Sequence, residues 1–434
     1  MRNKINSFKF RFLRDEFNKN VAILSGGVAV SQLIPILVSP ALTRLYSPQD
    51  FGILAIFVSI TTILSVIANG RYELAVMLPE KDDDAINVAA VAFIMNVIFS
   101  FFCLFLIIFF KTHLLRILKA ESMGLWAYFI PLTSFFIALF NLLNYTNNRF
   151  KLYRDIAKSN IYKSTSNALV KLILGFFKTG AGGLIIGQIT SQFVANSKLF
   201  DNIKKTGLLA SISLRKIKEL AKLYSNFPTF SVLAGLINTL AYQLTNILIG
   251  AFYGESTLGQ FYLSQMILGL PLSYIGTAVS QVFYQHAASE LKSNSTIKIT
   301  FKSTLKKLLY IGLPVFTLIF ILSIPVFTFV FGQKWYGAGK YTMFLTPLYC
   351  ARFIAIPFTL VPMIFKKNQI DFLFQTGIIT ITIATILLNR TSVERFLLFY
   401  SGILTVYYAT YILILDILFV ERRYRLIQNS NIKL

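Results

Sequence analysis

Long apolar runs limit the fold of this sequence more than any other feature. About twelve of them follow one another along the chain, and each can cross a hydrocarbon core of about 30 Å as an α-helix of roughly 20 residues. The runs are centred near Gln32, Ile60, Ile98, Phe135, Leu172, Ile189, Leu240, Met266, Phe320, Phe353, Ile381 and Val406. They lack the alternating pattern of an outer-membrane barrel. The sequence therefore predicts an all-α polytopic membrane protein with about 12 transmembrane helices.

Basic residues are unevenly distributed among the links between these runs. The chain has 42 Lys+Arg against 18 Asp+Glu. Of the 42, 31 lie in the amino-terminal segment, in every second link and in the carboxy-terminal tail, whereas only 9 lie in the other links. Cytoplasmic loops carry such an excess, so we expect a multi-pass protein with both termini in the cytoplasm. The same distribution argues against nucleic acid as a partner, because the charge follows membrane topology.

A weak internal repeat indicates two halves. The segment SQLIPILVSPALTRLYSPQDFGILAIF (31–57) resembles YQLTNILIGAFYGESTLGQFYLSQM (242–266) in its Gln-Leu and Ile-Leu pairs and in the Tyr and Gly of the following turn. Transporters are often built from parallel repeats of this kind. We therefore predict two six-helix bundles around a central cavity, an amino-terminal lobe of residues 1–205 and a carboxy-terminal lobe of residues 206–434.

Two basic segments have the pattern of amphipathic helices that contact membrane lipids. FKFRFLRDEF (8–17) belongs to a predicted cytoplasmic segment of residues 1–20, and SLRKIKELAKLY (213–224) places apolar residues on one helical face with basic residues opposite. We expect both to bind anionic headgroups, and we expect residues 421–434 to form a cytoplasmic tail.

Stripes of polar residues indicate which helix faces would line a wet cavity. The first apolar run carries Gln32, the fourth carries Asn141 and Asn144, and the seventh carries Gln243 and Asn246. A single stripe could equally be a set of interhelical hydrogen bonds worth about 0.6–2 kcal/mol each. Because several helices carry such stripes, we predict that these five residues contact a polar substrate.

Three basic residues lie within or at the end of apolar runs. Arg352 and Lys171 lie inside runs, and Arg44 ends the first one. An ionisable group near the middle of a membrane costs at least about 2.5–3.5 kcal/mol and is a functional candidate by default. The alternative is that the side chain snorkels to the interface, which is plausible for Lys171. Because Arg can grip a phosphate through two hydrogen bonds, we predict an anionic, phosphate-bearing cargo.

Acidic residues cluster in the link between the second and third runs. NGRYELAVMLPEKDDDA (69–85) carries Glu73 and four further acids at 80–84. Two interpretations stay open. The acids could be solvated and pair with neighbouring basic links, or Arg71 and Glu73 could form a gate pair that breaks as the cavity opens inward.

The sequence carries no pattern of a metal, cofactor or catalytic site. It holds no His/Cys/carboxylate set with metal-ligand spacing. FGQKWYGAGKY (331–341) only faintly resembles a phosphate loop, since Tyr341 stands where Ser or Thr should follow Lys340. We therefore expect no metal, no cofactor and no enzymatic activity.

Three stretches resemble a known family. PALTRLYSPQDFGILAIF (40–57) and GRYELAVMLPEKDDDA (70–85) look like the amino-terminal half of O-antigen and capsular polysaccharide flippases of the Wzx type, relatives of the multidrug and toxin extrusion exporters. FGQKWYGAGKYTMFLTPLYCARFIAIP (331–357) resembles the stretch that such proteins carry across their ninth and tenth helices.

The resemblance implies a flippase for undecaprenyl-pyrophosphate-linked oligosaccharide, working by alternating access in a bacterial inner membrane during lipopolysaccharide or capsule biosynthesis. In that family, cations lining the cavity hold the pyrophosphate and sugar, and here they would be Arg44, Lys171 and Arg352. The implied partners are the lipid-linked oligosaccharide and membrane lipids, with glycan polymerase and chain-length proteins as candidates. We expect a monomer.

Two other functions compete with this one. A cation-coupled multidrug exporter of the same superfamily often carries a carboxylate in its first helix or in a second-lobe cavity, whereas residues 20–44 contain none. A membrane glycan polymerase or ligase needs a sizeable outward loop with catalytic residues, and all predicted outward links here are short.

Overall fold

The computed structural model describes residues 16–367 and 369–421, and these residues form helices and turns without a strand. The predicted all-α fold is confirmed. Most of the predicted amino-terminal segment and nearly all of the predicted tail lie outside the described residues. In chain order the helices are α1 (Glu16–Leu45), α2 (Pro48–Ala68), α3 (Tyr72–Ala75), α4 (Asp82–Ile117), α5 (Ile130–Arg149), α6 (Tyr153–Phe176), α7 (Ala181–Lys205), α8 (Leu214–Leu223), α9 (Val232–Tyr253), α10 (Glu255–Pro271), α11 (Thr277–Asn294), α12 (Lys298–Phe331), α13 (Tyr336–Ala355), α14 (Val361–Ile364), α15 (Gln369–Leu388) and α16 (Val393–Leu415).

Nine helical segments in the described part of the chain are long and apolar enough to cross a membrane. They are Gly26–Leu45, Pro48–Ala68, Asp82–Ile117, Glu121–Arg149, Phe227–Tyr253, Lys298–Phe331, Gln333–Ile364, Gln369–Leu388 and Val393–Val420. The other three predicted centres, Leu172, Ile189 and Met266, lie in α6, α7 and α10. Polar residues along α6 and α7 lower their hydropathy, and α10 has only 17 residues. The prediction of about 12 spans is therefore not confirmed in number.

The chain divides into two compact units, Met1–Thr239 and Leu240–Leu434. The boundary falls within α9, further along the chain than the predicted boundary at 205/206. The link after α7 packs on the first unit, which explains the difference. Asn87 Nδ2 donates to the Ser211 carbonyl at 3.0 Å, and Asn87 Oδ1 accepts from the Ser213 amide at 2.8 Å.

The start of α2 is specified locally by the motif SPQD. Ser47 Oγ accepts a hydrogen bond from the Asp50 amide at 3.2 Å, and Asp50 Oδ2 accepts from the Ser47 amide at 2.8 Å. This reciprocal pair is a capping box, and Pro48 occupies the first helical position, where its missing N–H is harmless. The motif therefore fixes the turn between the first two membrane helices.

The predicted amphipathic helix is α8, and protein covers most of its apolar face. Ile217, Leu220 and Ala221 pack against a buried cluster of the first unit that includes Tyr72. The Tyr72 hydroxyl also donates to the Ala221 carbonyl at 2.8 Å. The chain's own core therefore covers this apolar face, apart from Leu214, which is 76% exposed, while the expectation that the basic side of the segment binds anionic headgroups stays a prediction.

In the second unit, Glu290 lies in the last part of α11 and its carboxylate reaches the start of α12. Its carboxylate accepts hydrogen bonds from the amides of Ile299 at 2.9 Å and Thr300 at 2.8 Å. These amides belong to the first turn of α12, which has no intrahelical acceptors for them. The buried carboxylate thus caps this 34-residue helix.

Candidate functional site

Arg352 lies in the second unit on α13, and tyrosine rings surround its side chain. The guanidinium carbon is 4.6 Å from the centroid of the Tyr242 ring and 5.2 Å from that of Tyr349. A cation held against aromatic faces gains about 0.5–1 kcal/mol in exposed sites and about 2 kcal/mol or more where water is excluded. Tyr349 lies three residues before Arg352 on the same helix, so the helical repeat itself brings that ring to the cation.

A cavity of about 180 Å³ opens beside this guanidinium. Its polar lining comes from four helices of the second unit and consists of Tyr242, Gln243, Asn246, Gln265, Tyr349, Arg352, Tyr400 and Tyr408. The volume is below the 300–1,000 Å³ of pockets that enclose a drug-sized ligand. The cavity therefore suits a small polar headgroup rather than a whole oligosaccharide.

The charge of this cavity is uncompensated. Among the described residues that line it, Arg352 is the single charged side chain, and the others are neutral amides, phenols and apolar groups. In low-dielectric surroundings, Coulomb attraction between a cation and a bound anion is strong, so a lone buried cation favours anion binding. The arrangement can therefore hold an anion, with the amides and phenols as additional hydrogen-bond donors.

The structure brings three predicted site residues together in this cavity, Arg352, Gln243 and Asn246. The other polar residues of the cavity, above all Tyr400 and Tyr408, were not predicted. Both lie on α16, whose run of aromatic residues is typical of any membrane helix. Beyond the position of Tyr242 next to the predicted Gln243, the sequence carries no signal for the missed tyrosines.

The other predicted substrate contacts lie in the first unit. Gln32 is half-buried on α1 and Arg44 is exposed at the end of that helix. Asn141 and Asn144 are half-buried on α5. A neighbouring amide of this unit forms an interhelical hydrogen bond, since Asn147 Nδ2 donates to the Leu199 carbonyl at 3.1 Å.

Two lysines follow one face of α6. Lys171 is half-buried, and its stem packs against α7 at Gly187, where a Cβ would come within 2.6 Å of Lys171 Cγ. Lys163 lies two turns earlier, with Nζ 4.1 Å from the centroid of the Phe140 ring. Asn167, between the two lysines, donates to Gln188 Oε1 on α7 at 2.9 Å. Lys163 was not among the predicted site residues, although it belongs to the same helix as Lys171.

Arg71 and Glu73 form an ion pair within the segment that links α2 to α4. Arg71 Nη1 is 3.4 Å from Glu73 Oε1, and the Glu73 side chain is only 4% exposed. Burial raises the pKa of Glu73 above its ordinary value, and the charge of Arg71 offsets part of that rise. The pair predicted by the gate hypothesis therefore exists, while its role stays a hypothesis.

The acidic residues that follow in the link form ion pairs with basic residues of neighbouring helices. Asp82 pairs with Arg149 at 2.9 Å, and Asp84 pairs with Lys216 of α8 at 2.7 Å. The hydrogen bond that Lys216 Nζ donates to Asp84 Oδ1 is the main reason why the pKa of Lys216 is raised. Arg149 also donates to the carbonyls of Val76 and Glu80. These contacts agree with the interpretation in which the link acids pair with nearby basic segments.

Comparison with known sequences gives one family and one curated relative. A family model described as "Polysaccharide biosynthesis protein" matches residues 41–339. The teichuronic acid biosynthesis protein TuaB of Bacillus subtilis (strain 168) is 30% identical over 115 residues, which are 26% of this chain and 24% of TuaB. The aligned part thus spans about a quarter of that relative.

Solved structures share the fold over nearly the whole chain. An inward-facing multidrug resistance MATE family transporter of the MOP superfamily has a TM-score of 0.69 at 14% identity, covering 94% of this chain and 96% of its own. The lipid II flippase MurJ in an inward closed conformation has a TM-score of 0.68 at 13% identity, covering 92% and 88%. A MOP superfamily transporter from Pyrococcus furiosus has a TM-score of 0.60 at 15% identity, covering 94% and 97%.

Proposed function

Because this chain belongs to the polysaccharide biosynthesis protein family, we propose that it is a flippase for undecaprenyl-pyrophosphate-linked oligosaccharide, the repeat unit of an O-antigen or capsule. It is a multi-pass membrane protein with the fold of MOP-superfamily transporters. The proposed direction is from the cytoplasmic to the outer face of a bacterial inner membrane, with both termini in the cytoplasm.

The observation that carries the proposal is the uncompensated Arg352 in its cavity of tyrosines and amides. A pyrophosphate supplies the missing negative charge, and its oxygens match the two-pronged donor geometry of a guanidinium. Gln243 and Asn246 add side-chain amides at the same cavity. Since the cavity of about 180 Å³ accepts only a headgroup, the sugars would lie outside it.

Transport would proceed by alternating access. The Arg352 cavity would open first to the cytoplasm and then to the outside, while the polyprenyl tail remains in lipid. The polar head then avoids the hydrocarbon, where each unpaired hydroxyl costs several kcal/mol. Arg44 and Lys171, with Gln32, Asn141 and Asn144, are the first-unit residues that we assign to the sugar or to the second phosphate.

We also assign the Arg71–Glu73 pair to the inward gate. Glu73 is buried and Arg71 is half-buried, and their separation of 3.4 Å is long for an ion pair. Both side chains retain a buried polar atom without a partner among the described residues, Arg71 Nε and Glu73 Oε2. A pair with such incomplete hydrogen bonding is readily exchanged for another arrangement.

Replacing Arg352 with Ala tests the proposal. In a strain whose own flippase gene is deleted, the variant should restore little surface glycan, and lipid-linked glycan should accumulate on the cytoplasmic face. Membrane abundance should match that of the unaltered protein. Lys340→Ala is the charge-matched control, because Lys340 pairs with Glu394 at 2.6 Å and does not line the cavity.

Full surface glycan in the Arg352→Ala strain would contradict the proposed contact with pyrophosphate. A multidrug exporter of the same fold would instead leave glycan unchanged on gene deletion and alter resistance to cationic drugs. Measuring both phenotypes in the deletion strain therefore separates the two functions.

A further inference from the structure

An apolar groove of about 520 Å³ lies within the first unit. It is lined by α4, by α5 from Phe135 to Thr146, by α7, and by Leu209 and Ile212 of the link after α7. Twelve of its thirteen lining residues are apolar. The thirteenth, Thr146, donates its hydroxyl hydrogen to the Leu142 carbonyl of its own helix at 2.8 Å. The described side chains that line the groove therefore suit a hydrocarbon rather than a polar ligand.

Side-chain amides hold the three helices of this groove together. Asn96 of α4 donates to the Phe135 carbonyl of α5 at 3.1 Å. Asn196 of α7 donates to the Phe136 carbonyl of α5 at 2.9 Å, and Asn147 joins the same two helices nearer the end of α7. Hydrogen bonds of this kind fix neighbouring helices in lipid. The groove is therefore a built feature of the first unit rather than a gap between loosely packed helices.

The length of the groove matches one leaflet of a membrane. Phe135 and Thr146 are eleven residues apart on α5, which is about 16 Å at about 1.5 Å per residue. This is about half of a hydrocarbon core of about 30 Å. Phe93, Phe200 and Ile212 are exposed along the groove, so a lipid can enter it from the side.

The volume of the groove distinguishes a lipid chain from a partner helix. A helix of about 16 Å in length and about 10 Å in diameter fills about 1,250 Å³. This is more than twice the volume of about 520 Å³ that the groove offers. A single hydrocarbon chain therefore fits the groove, whereas a helix from another protein does not.

Two basic residues lie where the groove meets the end of α7. Lys204 follows Phe200 of the groove by four residues, so it lies on the same face of α7 one turn further along. Lys204 and Lys205 are exposed, and neither forms an ion pair with another described residue. A basic residue near a membrane surface strengthens the binding of anionic lipid about fivefold. These lysines can therefore hold a negatively charged headgroup.

The acidic residues at this end of the groove are mostly paired. The start of α4 lies here, because Ile86 and Ile203 belong to the same buried cluster. Of the three aspartates that begin α4, two pair with Arg149 and Lys216, and the third, Asp83, is exposed. The two lysines of α7 therefore leave a net positive charge, which favours an anionic headgroup over a zwitterionic one.

We propose that this groove binds one acyl chain of an anionic phospholipid whose headgroup lies at Lys204 and Lys205. The predicted topology places this end of α7 in the cytoplasmic leaflet. The lipid is a bound component of the first unit, where it fills the space between α4, α5 and α7. The inference does not depend on the cargo of the protein, because it uses none of the residues assigned to the cargo.

Native mass spectrometry of the full-length protein, purified in mild detergent, tests for the bound lipid. The unaltered protein should retain one anionic phospholipid. Ala90→Phe places a ring in the groove and should lower this occupancy about fivefold or more. Ala409→Phe on α16 is the matched control, because Ala409 is exposed on a membrane helix and does not line the groove. Equal retention or equal loss in the two variants would overturn the proposal.

A smaller substitution keeps this test decisive if Ala90→Phe does not fold. Ala90→Leu should also lower lipid occupancy relative to Ala409→Leu, and equal occupancy in that pair would overturn the proposal. The mass of the bound molecule identifies its source. A polyprenyl phosphate in place of a glycerophospholipid would assign the groove to the tail of a polyprenyl lipid and overturn the proposal.

A second experiment tests the headgroup contact. Purified protein is titrated with phosphatidylglycerol and with phosphatidylcholine in detergent micelles, and the unaltered protein should prefer phosphatidylglycerol. Replacing Lys204 and Lys205 together with Ala should reduce this preference about 25-fold. Lys306→Ala with Lys307→Ala is the matched control, because these two lysines are also adjacent and exposed, on α12. An equal reduction in the control, or an unchanged preference in the first pair, would overturn the proposal.

Discussion

Arg352→Lys keeps the positive charge of the cavity and removes the planar guanidinium. In the structure, the guanidinium carbon lies 4.6 Å and 5.2 Å from the centroids of two tyrosine rings, and the side chain lines the cavity. A lysine ammonium can form only a point contact with a phosphate. Loss of one charge-assisted hydrogen bond costs about 1.5–3 kcal/mol. At about 1.4 kcal/mol for each factor of ten, pyrophosphate affinity should fall about 10- to 150-fold.

Isothermal titration of purified protein with inorganic pyrophosphate measures this loss. Arg352→Ala should bind more weakly still, and Lys340→Ala should bind as the unaltered protein does. If Arg352→Lys binds within about twofold of the unaltered protein, a difference of only about 0.4 kcal/mol, the two-pronged contact is refuted and charge alone explains binding. Equal loss in Lys340→Ala would show that affinity follows net charge rather than the cavity.

Two further predictions concern the first unit. Glu73→Gln should impair transport at normal membrane abundance. It should also remove a pH transition that lies above about 4.3, because burial beside Arg71, Asn69 and Tyr145 raises the pKa of Glu73, and because proton uptake abolishes the ion pair. Because burial favours the protonated form of Glu73 in the folded protein, the contribution of Glu73 to the free energy of unfolding should rise as pH falls through the raised pKa toward about 4.3. Denaturation at several pH values, with Glu73→Gln as reference, checks this sign. Arg149→Ala should lower the melting temperature more than Lys216→Ala, because the Arg149 side chain bonds to a carboxylate and two backbone carbonyls, whereas Lys216 makes one ion pair that solvent screens. Equal shifts would contradict this ranking.

The general fold could be predicted from the sequence because a chain that crosses lipid must form its backbone hydrogen bonds internally. Each apolar run must satisfy its own hydrogen bonds, so a run of about 20 residues predicts a helix with little ambiguity. The capping box of Ser47 and Asp50 is equally local and lies in the stretch that carries the family resemblance. The number of spans could not be read from hydropathy in the same way, because α6 and α7 carry polar residues on the faces that pack against protein.

The candidate site was only partly predictable, because its members are far apart in the chain. Arg352 was found through the rarity of charge inside apolar runs. Tyr242, Tyr400 and Tyr408 were not found, because a tyrosine in a membrane helix gives no sign of the cation it faces. The contact of α8 with its own unit was missed for a similar reason, since an amphipathic pattern predicts an apolar partner without saying whether that partner is lipid or protein.

The continuity of α9 has a practical consequence for dissecting the protein. A chain cut at the division between Thr239 and Leu240 would break a helix in its middle and expose backbone groups that lipid cannot satisfy. Separately expressed halves that reassemble would instead have to part at the turn around Gly254, whose φ of 86° marks a natural bend. Such halves would leave α9 whole on the amino-terminal fragment. Their reassociation would therefore measure how strongly α9 residues 240–253 bind the rest of the second unit.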